Sequence, residues 1–294
     1  MLRKKIRINP ESECLRIEGF IKEKRQEMGR KGALLGLSGG IDSAVVASLA
    51  ARAIGPECVS CVFMPEKHTS RDSGKHAQLV ATRLGVEYKT HNITPKLNNF
   101  GFYRFVPGNI TISMIRKVLL SVVRSKDESS FESGLGKSNS KFIAQANAFY
   151  RIKPRMRMMV LYEQSEREDL LVVGTANKSE YAIGLYASHG CDDAVDIMPI
   201  RHLFKTEVIQ LAEYLDVPKE IIEKPPSPDF IAGMTDEGII GLSYEILDLI
   251  LLGLELGYPL ANIAAEIGCD SLDVDYVIGL KRKSQYRKDI PYTV

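Results

Sequence analysis

Short apolar runs alternate with longer segments of helical period through the first hundred residues. Residues 33–37 (ALLGL) form an unbroken apolar run of strand length, 43–54 space their apolar residues at helical intervals, and 59–64 are again short and apolar. A second helical pattern covers 73–84, and a third strand follows over 86–93. The order is βαβαβ. Helices between short apolar strands predict parallel pairing and a three-layer α/β architecture, because a crossover helix must cover the sheet face that it leaves.

After Thr94-Pro95 the pattern weakens, with a helix predicted at 111–124 and then a polar Ser/Gly/Lys tract over 125–141 that reads as a mobile loop. A helix at 155–166 leads into a fourth strand ending at Gly174-Thr175, so the βα alternation resumes. Beyond Pro199 stand the helical KTEVIQLAEYLDV, the proline-punctuated KPPSPDF and helical patterns at about 237–256, 260–267 and 271–283, with Gly and Pro breakers between them. No internal repeat is visible. The expectation is one domain over 1–294: a doubly wound, mostly parallel α/β sheet with helices on both faces, a helical C-terminal part, and a partly mobile insertion at 97–147.

Composition narrows the function classes. The 294 residues suffice for one large core, and 39 basic against 37 acidic residues give a net charge of only +2, so nothing demands a nucleic-acid or membrane partner. The N-terminal MLRKKIRINPESECLRIEGF lacks the apolar core of a signal peptide, and no eighteen apolar residues run uninterrupted. Five scattered cysteines, Cys14, Cys58, Cys61, Cys191 and Cys269, fit reduced thiols and a cytoplasmic location. Cys58 and Cys61 form a C-x-x-C pair with no second pair, so a strand carrying small thiols is the reading there.

The chemistry concentrates where the first strand meets its helix, at Ser38-Gly39-Gly40-Ile41-Asp42-Ser43. Glycines let main-chain amides approach an anion, serine hydroxyls add donors, and the following helix contributes the positive end of its dipole: a phosphate cradle. Asp42 beside a phosphate is repulsive unless a cation such as Mg²⁺ lies between them. The alternative is an ordinary glycine turn with Asp42 as the helix N-cap. The tail-of-Walker sequence Gly136-Lys137-Ser138 is a decoy, since Phe131 stands where the first glycine belongs; it reads as a surface loop.

The hexapeptide resembles the SGG-x-DS signature of the N-type ATP pyrophosphatases, which implies an adenine nucleotide alpha hydrolase-like fold. The segments KPRMRMMVLYEQ (153–164), VVGTANKSE (172–180), LFKTEVIQLAEYL (203–215), EKPPSPDF (223–230) and GMTDEGIIGLSYEILD (233–248) are similar in order and spacing to the blocks of ammonia-dependent NAD synthetases. The resemblance implies a ligase that activates deamido-NAD with Mg·ATP as an adenylate, releases pyrophosphate, and lets ammonia displace AMP. It also implies a homodimer. No length is left for a glutaminase domain, so nitrogen is expected as free ammonia or from a separate protein.

Residue by residue, the resemblance implies an ATP site of Gly36, Leu37, Ser38, Gly39, Gly40, Ile41, Asp42 and Ser43 with Thr175, Lys205 and Ser227, and Mg²⁺ ligands Asp42 and Glu180. Of these, Asp42, Lys205 and Ser227 carry the catalytic assignment. Taken without the resemblance, Lys205 reads equally as a solvated helix-start lysine, and Glu180 as a solvated acid or cap. The substrate half is assigned to Arg155, Asp196, Arg151 and Arg287. Here the chain departs from the family: ASHGCDD places Ser188 where a substrate-binding lysine is expected, and Tyr286-Arg287-Lys288 stands near the usual His-Lys pair. Arg151, Lys153, Arg155 and Arg157 are the cations that could compensate, with a solvated basic helix face as the alternative for at least half of them. His189 and His202 read as loop residues. A divergent pyrophosphatase adenylating another acid stays open as the second reading, and an ATP-binding module without turnover as the third.

Overall fold

Among the described residues, four parallel strands, β1 (Gly32–Gly36), β2 (Val59–Phe63), β3 (Glu87–Thr90) and β4 (Leu170–Val173), form one sheet in the order β3-β2-β1-β4. The computed structural model describes residues 1–105, 141–190, 193–227 and 235–288. In chain order the helices are α1 (Leu2–Lys5), α2 (Pro10–Glu27), α3 (Ile41–Ile54), α4 (Arg71–Leu84), α5 (Thr94–Asn99), α6 (Lys141–Glu168) and α7 (Lys178–Ile183). They continue as α8 (Lys205–Tyr214), α9 (Lys219–Ile222), α10 (Asp236–Ile240), α11 (Tyr244–Glu255), α12 (Leu260–Ile267) and α13 (Ser271–Ser284).

Strand periodicity sorts the core into two faces. Ala33, Leu35, Val59, Cys61, Phe63, Leu171 and Val173 pack with α2, α3, α4 and α8, whereas Leu34, Val62 and Val172 face the opposite core with Leu97 of α5 and Met156, Val160 and Leu161 of α6. Both faces are covered, which is why β1 and β2 read as continuous apolar runs. The polar β3 lies at the sheet edge, where one side of the ladder meets no further strand among the described residues. A further cluster joins Leu2 of α1, Ile183 of α7 and the apolar faces of α11, α12 and α13. Burying each Leu or Ile of these clusters contributes about 1.5–3 kcal/mol.

The topology selects the place for a ligand. From β1 the chain steps outward to β2 and β3, then returns to lay β4 on the other side of β1. The winding direction therefore reverses between β1 and β4, and the crevice outside their carboxyl ends is the expected ligand position. Two loops meet there, 37–40 after β1 and 174–177 after β4.

The doubly wound parallel fold is as expected; several boundaries are not. Helix α3 begins at Ile41 with Gly40 as its N-cap, so Asp42 lies inside the first turn and does not cap the helix. The helix expected at 155–166 is the much longer α6, with Pro154 in its interior. Proline removes a backbone donor there, but buried Phe149, Lys153 and Met156 anchor the turns around it, so packing overrides the breaker. The pattern at 237–256 divides into α10 and α11, because Gly241 takes a left-handed φ of 83° and Ser243 caps the next helix. The third strand shortens to β3. The expected helix at 111–124, the tract before 141, Gly136-Lys137-Ser138 and Cys191 lie outside the described residues. Among the described residues the cysteines are unpaired, and no helix is long and apolar enough to cross a membrane.

Candidate active site

The loop after β1 is built by its own side chains. Ser43 Oγ donates to the Gly40 carbonyl at 2.9 Å, accepts the Ser38 amide at 3.2 Å and lies 3.0 Å from Ser38 Oγ, which accepts the Gly40 amide at 3.2 Å. The hydroxyls expected to meet phosphate thus shape the loop itself. Gly39 has φ 78°, and a Cβ on it would lie 2.2 Å from the Ser73 carbonyl in the first turn of α4. Both conditions exclude a side chain. Gly39→Ala is expected to weaken ATP binding by about 1–3 kcal/mol with the fold retained; an unchanged dissociation constant by calorimetry would remove this loop from the nucleotide site.

Asp42 projects from the first turn of α3 toward the loop after β4. Its Oδ1 accepts Asn177 Nδ2 at 2.9 Å, and its Oδ2 accepts Lys205 Nζ at 2.5 Å. Asn177 acts twice, because its own Oδ1 caps α7 by accepting the Glu180 amide at 3.0 Å. Lys205, the first residue of α8, also reaches Glu180 Oε1 at 3.3 Å and lies 5.3 Å from the centroid of the Tyr244 ring. Asp42 and Glu180, distant in sequence, thus converge on one cation, the Lys205 ammonium. Lys205 is 1% exposed and is no solvated helix-start lysine. Burial alone would disfavour its charge, but Asp42, Glu180 and Asp236 outweigh that and hold its pKa above the ordinary lysine range. Burial raises the Asp236 carboxyl to about 6, against the attraction of Lys205 and the hydrogen bond from Tyr244.

Thr175 and Ser227 are the remaining residues expected on the ATP side. Thr175 follows β4 in the same loop as Asn177. Lys224 Nζ donates to Ser73 Oγ at 3.2 Å, and the Asp236 amide donates to the Pro226 carbonyl at 2.8 Å. These contacts draw the segment carrying exposed Ser227 toward the first turn of α4, against which Gly39 packs.

On the substrate side, two guanidinium groups meet at Ser188. Arg155 donates to its carbonyl from Nε at 3.2 Å and from Nη2 at 3.1 Å, while Arg287 Nε reaches its Oγ at 3.2 Å. Arg287, 5% exposed, also donates to the carbonyls of Gly184 and Tyr186 and lies over the Tyr186 ring, which stacks on Tyr181. The position that lacks the expected lysine is therefore flanked by two arginines. Arg151 lies four residues before Arg155 on α6, half-buried and on the same helix face. Asp196 is engaged by the sheet: Oδ2 accepts the Val172 amide at 2.8 Å and Oδ1 the Tyr162 hydroxyl at 3.2 Å.

Lys153 and Arg157 do not form a solvated or ligand-facing row with Arg155. Lys153 is buried, and its Nζ donates to Glu66 Oε1 at 2.8 Å; Arg157 Nε donates to the Met64 carbonyl at 3.2 Å. Glu66 also accepts the Tyr103 hydroxyl at 2.8 Å and faces His68 at 3.4 Å. His202 pairs with Glu13 on the surface.

Sequence reasoning overlooked three residues here. Asn177 was signalled by Asn-Lys-Ser-Glu at a helix start, a capping pattern. Asp248 stands in the apolar run ILDLILL (246–252), where a lone acid implies a buried partner. Glu66 carries no local signal, since its lysine is 87 residues away.

Comparison with known proteins finds relatives along nearly the whole chain. A family model described as NAD synthase matches residues 13–117 and 110–291. The NH(3)-dependent NAD(+) synthetase of Thermotoga maritima is 42% identical over 277 residues, spanning 93% of this chain and 96% of that one. Its counterpart in Methanocaldococcus jannaschii is 39% identical over 278 residues, 95% and 94% of the respective chains. Among solved structures, the NH3-dependent NAD synthetase from Campylobacter jejuni in complex with the nitrate ion superposes with a TM-score of 0.70 at 25% identity, over 98% of this chain and 100% of that one.

Proposed function

Since the chain belongs to the NAD synthase family, we propose that its reaction takes place in the crevice between β1 and β4, with Lys205 as its central cation. The protein is a ligase that makes NAD from deamido-NAD, ATP and ammonia. The observation that carries the residue assignment is the contact of one buried ammonium with both Asp42 and Glu180, beside a glycine loop at a helix N-terminus.

The chemistry sets the requirements. A carboxylate has no usable leaving group, so its oxygen attacks the α-phosphorus of ATP, the bond to the β-phosphate oxygen breaks, and pyrophosphate leaves. Ammonia then attacks the acyl carbon, the bond to AMP oxygen breaks, and a proton is lost. The loop Gly36, Leu37, Ser38, Gly39, Gly40, Ile41, Asp42 and Ser43 binds the pyrophosphate at the positive end of α3; its Leu37, Ser38 and Gly40 amides are held by the Val62 carbonyl, Ser43 Oγ and Ser38 Oγ, so the first turn of the helix supplies the amides that face the anion. Lys205 offsets negative charge that grows on the phosphorus oxygens, an effect strongest in the transition state. Thr175 and Ser227 hold the nucleotide.

Two hard carboxylate oxygens facing one cation suit Mg²⁺, and no group of three or more His, Cys, Asp or Glu among the described residues is arranged to hold a metal alone. Asp42 and Glu180 would hold the ion together with phosphate oxygens and water, and it would supply charge neutralisation at the triphosphate. Arg155 and Arg151 orient the anionic dinucleotide, with Arg287 and Asp196 fixing the 184–190 loop and the β4 edge behind them. The family resemblance supports homodimer assembly and the scattered cysteines support a cytoplasmic location, and sedimentation of the purified protein tests the first.

Purified protein given deamido-NAD, ATP, Mg²⁺ and ammonium is expected to yield NAD, AMP and pyrophosphate in equal amounts, and glutamine is expected to serve poorly as nitrogen source. Arg155→Ala is expected to weaken deamido-NAD binding by about 1.5–3 kcal/mol while ATP affinity stays nearly constant. Loss of ATP affinity to the same extent would place Arg155 on the other half of the site.

A further inference from the structure

Helix α8 begins with only a partial cap of its own, in which Glu207 Oε2 accepts the Phe204 amide at 2.7 Å. Its N-cap residue is Phe204, whose side chain has no acceptor, yet the first amides of the helix are satisfied. The acceptors come from elsewhere in the chain. Ser179 Oγ in α7 accepts the Lys205 amide at 2.9 Å, and Asp248 Oδ2 in α11 accepts the Thr206 amide at 2.9 Å. Ser179 in turn donates its hydroxyl to Asp248 Oδ1 at 2.5 Å, so one carboxylate closes the whole arrangement. Both carboxylate oxygens are engaged, and Asp248 and Ser179 are fully buried.

These partners join the elements that carry the proposed site. Ser179 directly precedes Glu180, and Lys205 and Thr206 are the first two residues of α8. A negative charge at a helix N-terminus is favoured by the helix dipole, and buried charge-assisted hydrogen bonds are short and directional. Asp248 touches none of the groups assigned to substrate, nucleotide or metal. We infer that Asp248 is a positioning residue for the ligase reaction: through Ser179 and the amide of Thr206 it fixes the start of α8, and with it the place of the Lys205 ammonium. The inference rests on the role given to Lys205 above. It explains why an acid stands among the buried apolar positions of α11, where a leucine would pack without desolvation cost.

The test is a double-mutant cycle on turnover. Asp248→Asn keeps shape and one acceptor, and Ser179→Ala removes the link on the α7 side with little change of volume. Each is expected to lower kcat about tenfold or more while the KM for ATP moves little, because a displaced catalytic cation costs most in the transition state. Introduced into Lys205→Met, either change is expected to lower kcat further by less than about twofold, since the group being positioned is already absent. Equal loss factors in the wild-type and Lys205→Met backgrounds would show a purely structural role and overturn the inference. Turnover of Lys205→Met at the wild-type rate would overturn the role of Lys205 itself, a result read independently of the cycle. Should Asp248→Asn fail to fold, as circular dichroism would reveal, Ser179→Ala carries the same comparison.

Discussion

Asp42→Ala is expected to lower NAD formation by about a thousandfold or more, an effect on the scale of removing electrostatic stabilisation from a transition state. Three consequences follow from the one change. Lys205 loses its nearer carboxylate, Asn177 loses the acceptor that ties the loop after β4 to α3, and one of the two proposed oxygen ligands of Mg²⁺ disappears. Pyrophosphate release with deamido-NAD, ATP and a range of Mg²⁺ concentrations measures the loss, and circular dichroism checks that the fold is intact. Release close to the wild-type rate would refute the assignment of Asp42. Asp42→Asn separates the terms: it keeps the shape and a neutral acceptor, so any activity it recovers reports geometry, and the remaining deficit reports charge.

The second large effect concerns stability. Lys153 and Glu66 are joined in a buried ion pair on the α5–α6 side of the sheet, the lysine lying 4.5 Å from the centroid of the Phe149 ring. Lys153→Met leaves the Glu66 charge without its cation in a dry site, which costs about 3–5 kcal/mol. Urea unfolding is expected to show that loss as a lower midpoint at similar slope. Replacing both partners, Glu66→Leu with Lys153→Met, is expected to recover much of the loss, because the uncompensated charge is then gone. A destabilisation of Lys153→Met below about 1 kcal/mol would mean that the pair is solvated.

The same pair makes stability depend on pH. Burial pushes the Glu66 carboxyl upward, but the hydrogen bond from His68, the charge and hydrogen bond of Lys153 and the Tyr103 hydroxyl together bring it down to about 2 from the ordinary 4.5. A group whose pKa falls on folding contributes stability that is complete above its unfolded value and disappears as pH drops toward the folded one. The Glu66 contribution, about 3 kcal/mol, is therefore expected to vanish between pH 4.5 and 2. In Glu66→Gln that part of the acid transition is absent.

What the sequence determined by itself is whatever depends on neighbours along the chain. The βα alternation predicted the parallel sheet, because an apolar run of four or five residues and a helix of three or four turns are each specified locally. The glycine loop proposed to bind pyrophosphate was equally legible as a tight turn, since Gly39 takes a positive φ, whereas the close approach of its backbone to the Ser73 carbonyl belongs to the tertiary structure. Block spacing selected Lys205, Glu180 and Thr175 through family resemblance, whereas composition alone left Lys205 and Glu180 indistinguishable from solvated charges.

Only the tertiary structure decided which charges are partners. Lys153 and Arg155 are two residues apart on one helix, and no periodicity distinguishes a lysine buried against Glu66 from an arginine holding the Ser188 carbonyl. Helix α6 continues through Pro154 because the packing of Phe149, Lys153 and Met156 outweighs the lost backbone bond. Asn177, Glu66 and Asp248 acquire their roles from groups 135, 87 and 42 to 69 residues away. Hydrogen bonds and ion pairs act over about 3 Å in space and are blind to separation along the chain, so such partnerships exist only once the sheet and its helices have brought the chain ends of the crevice together.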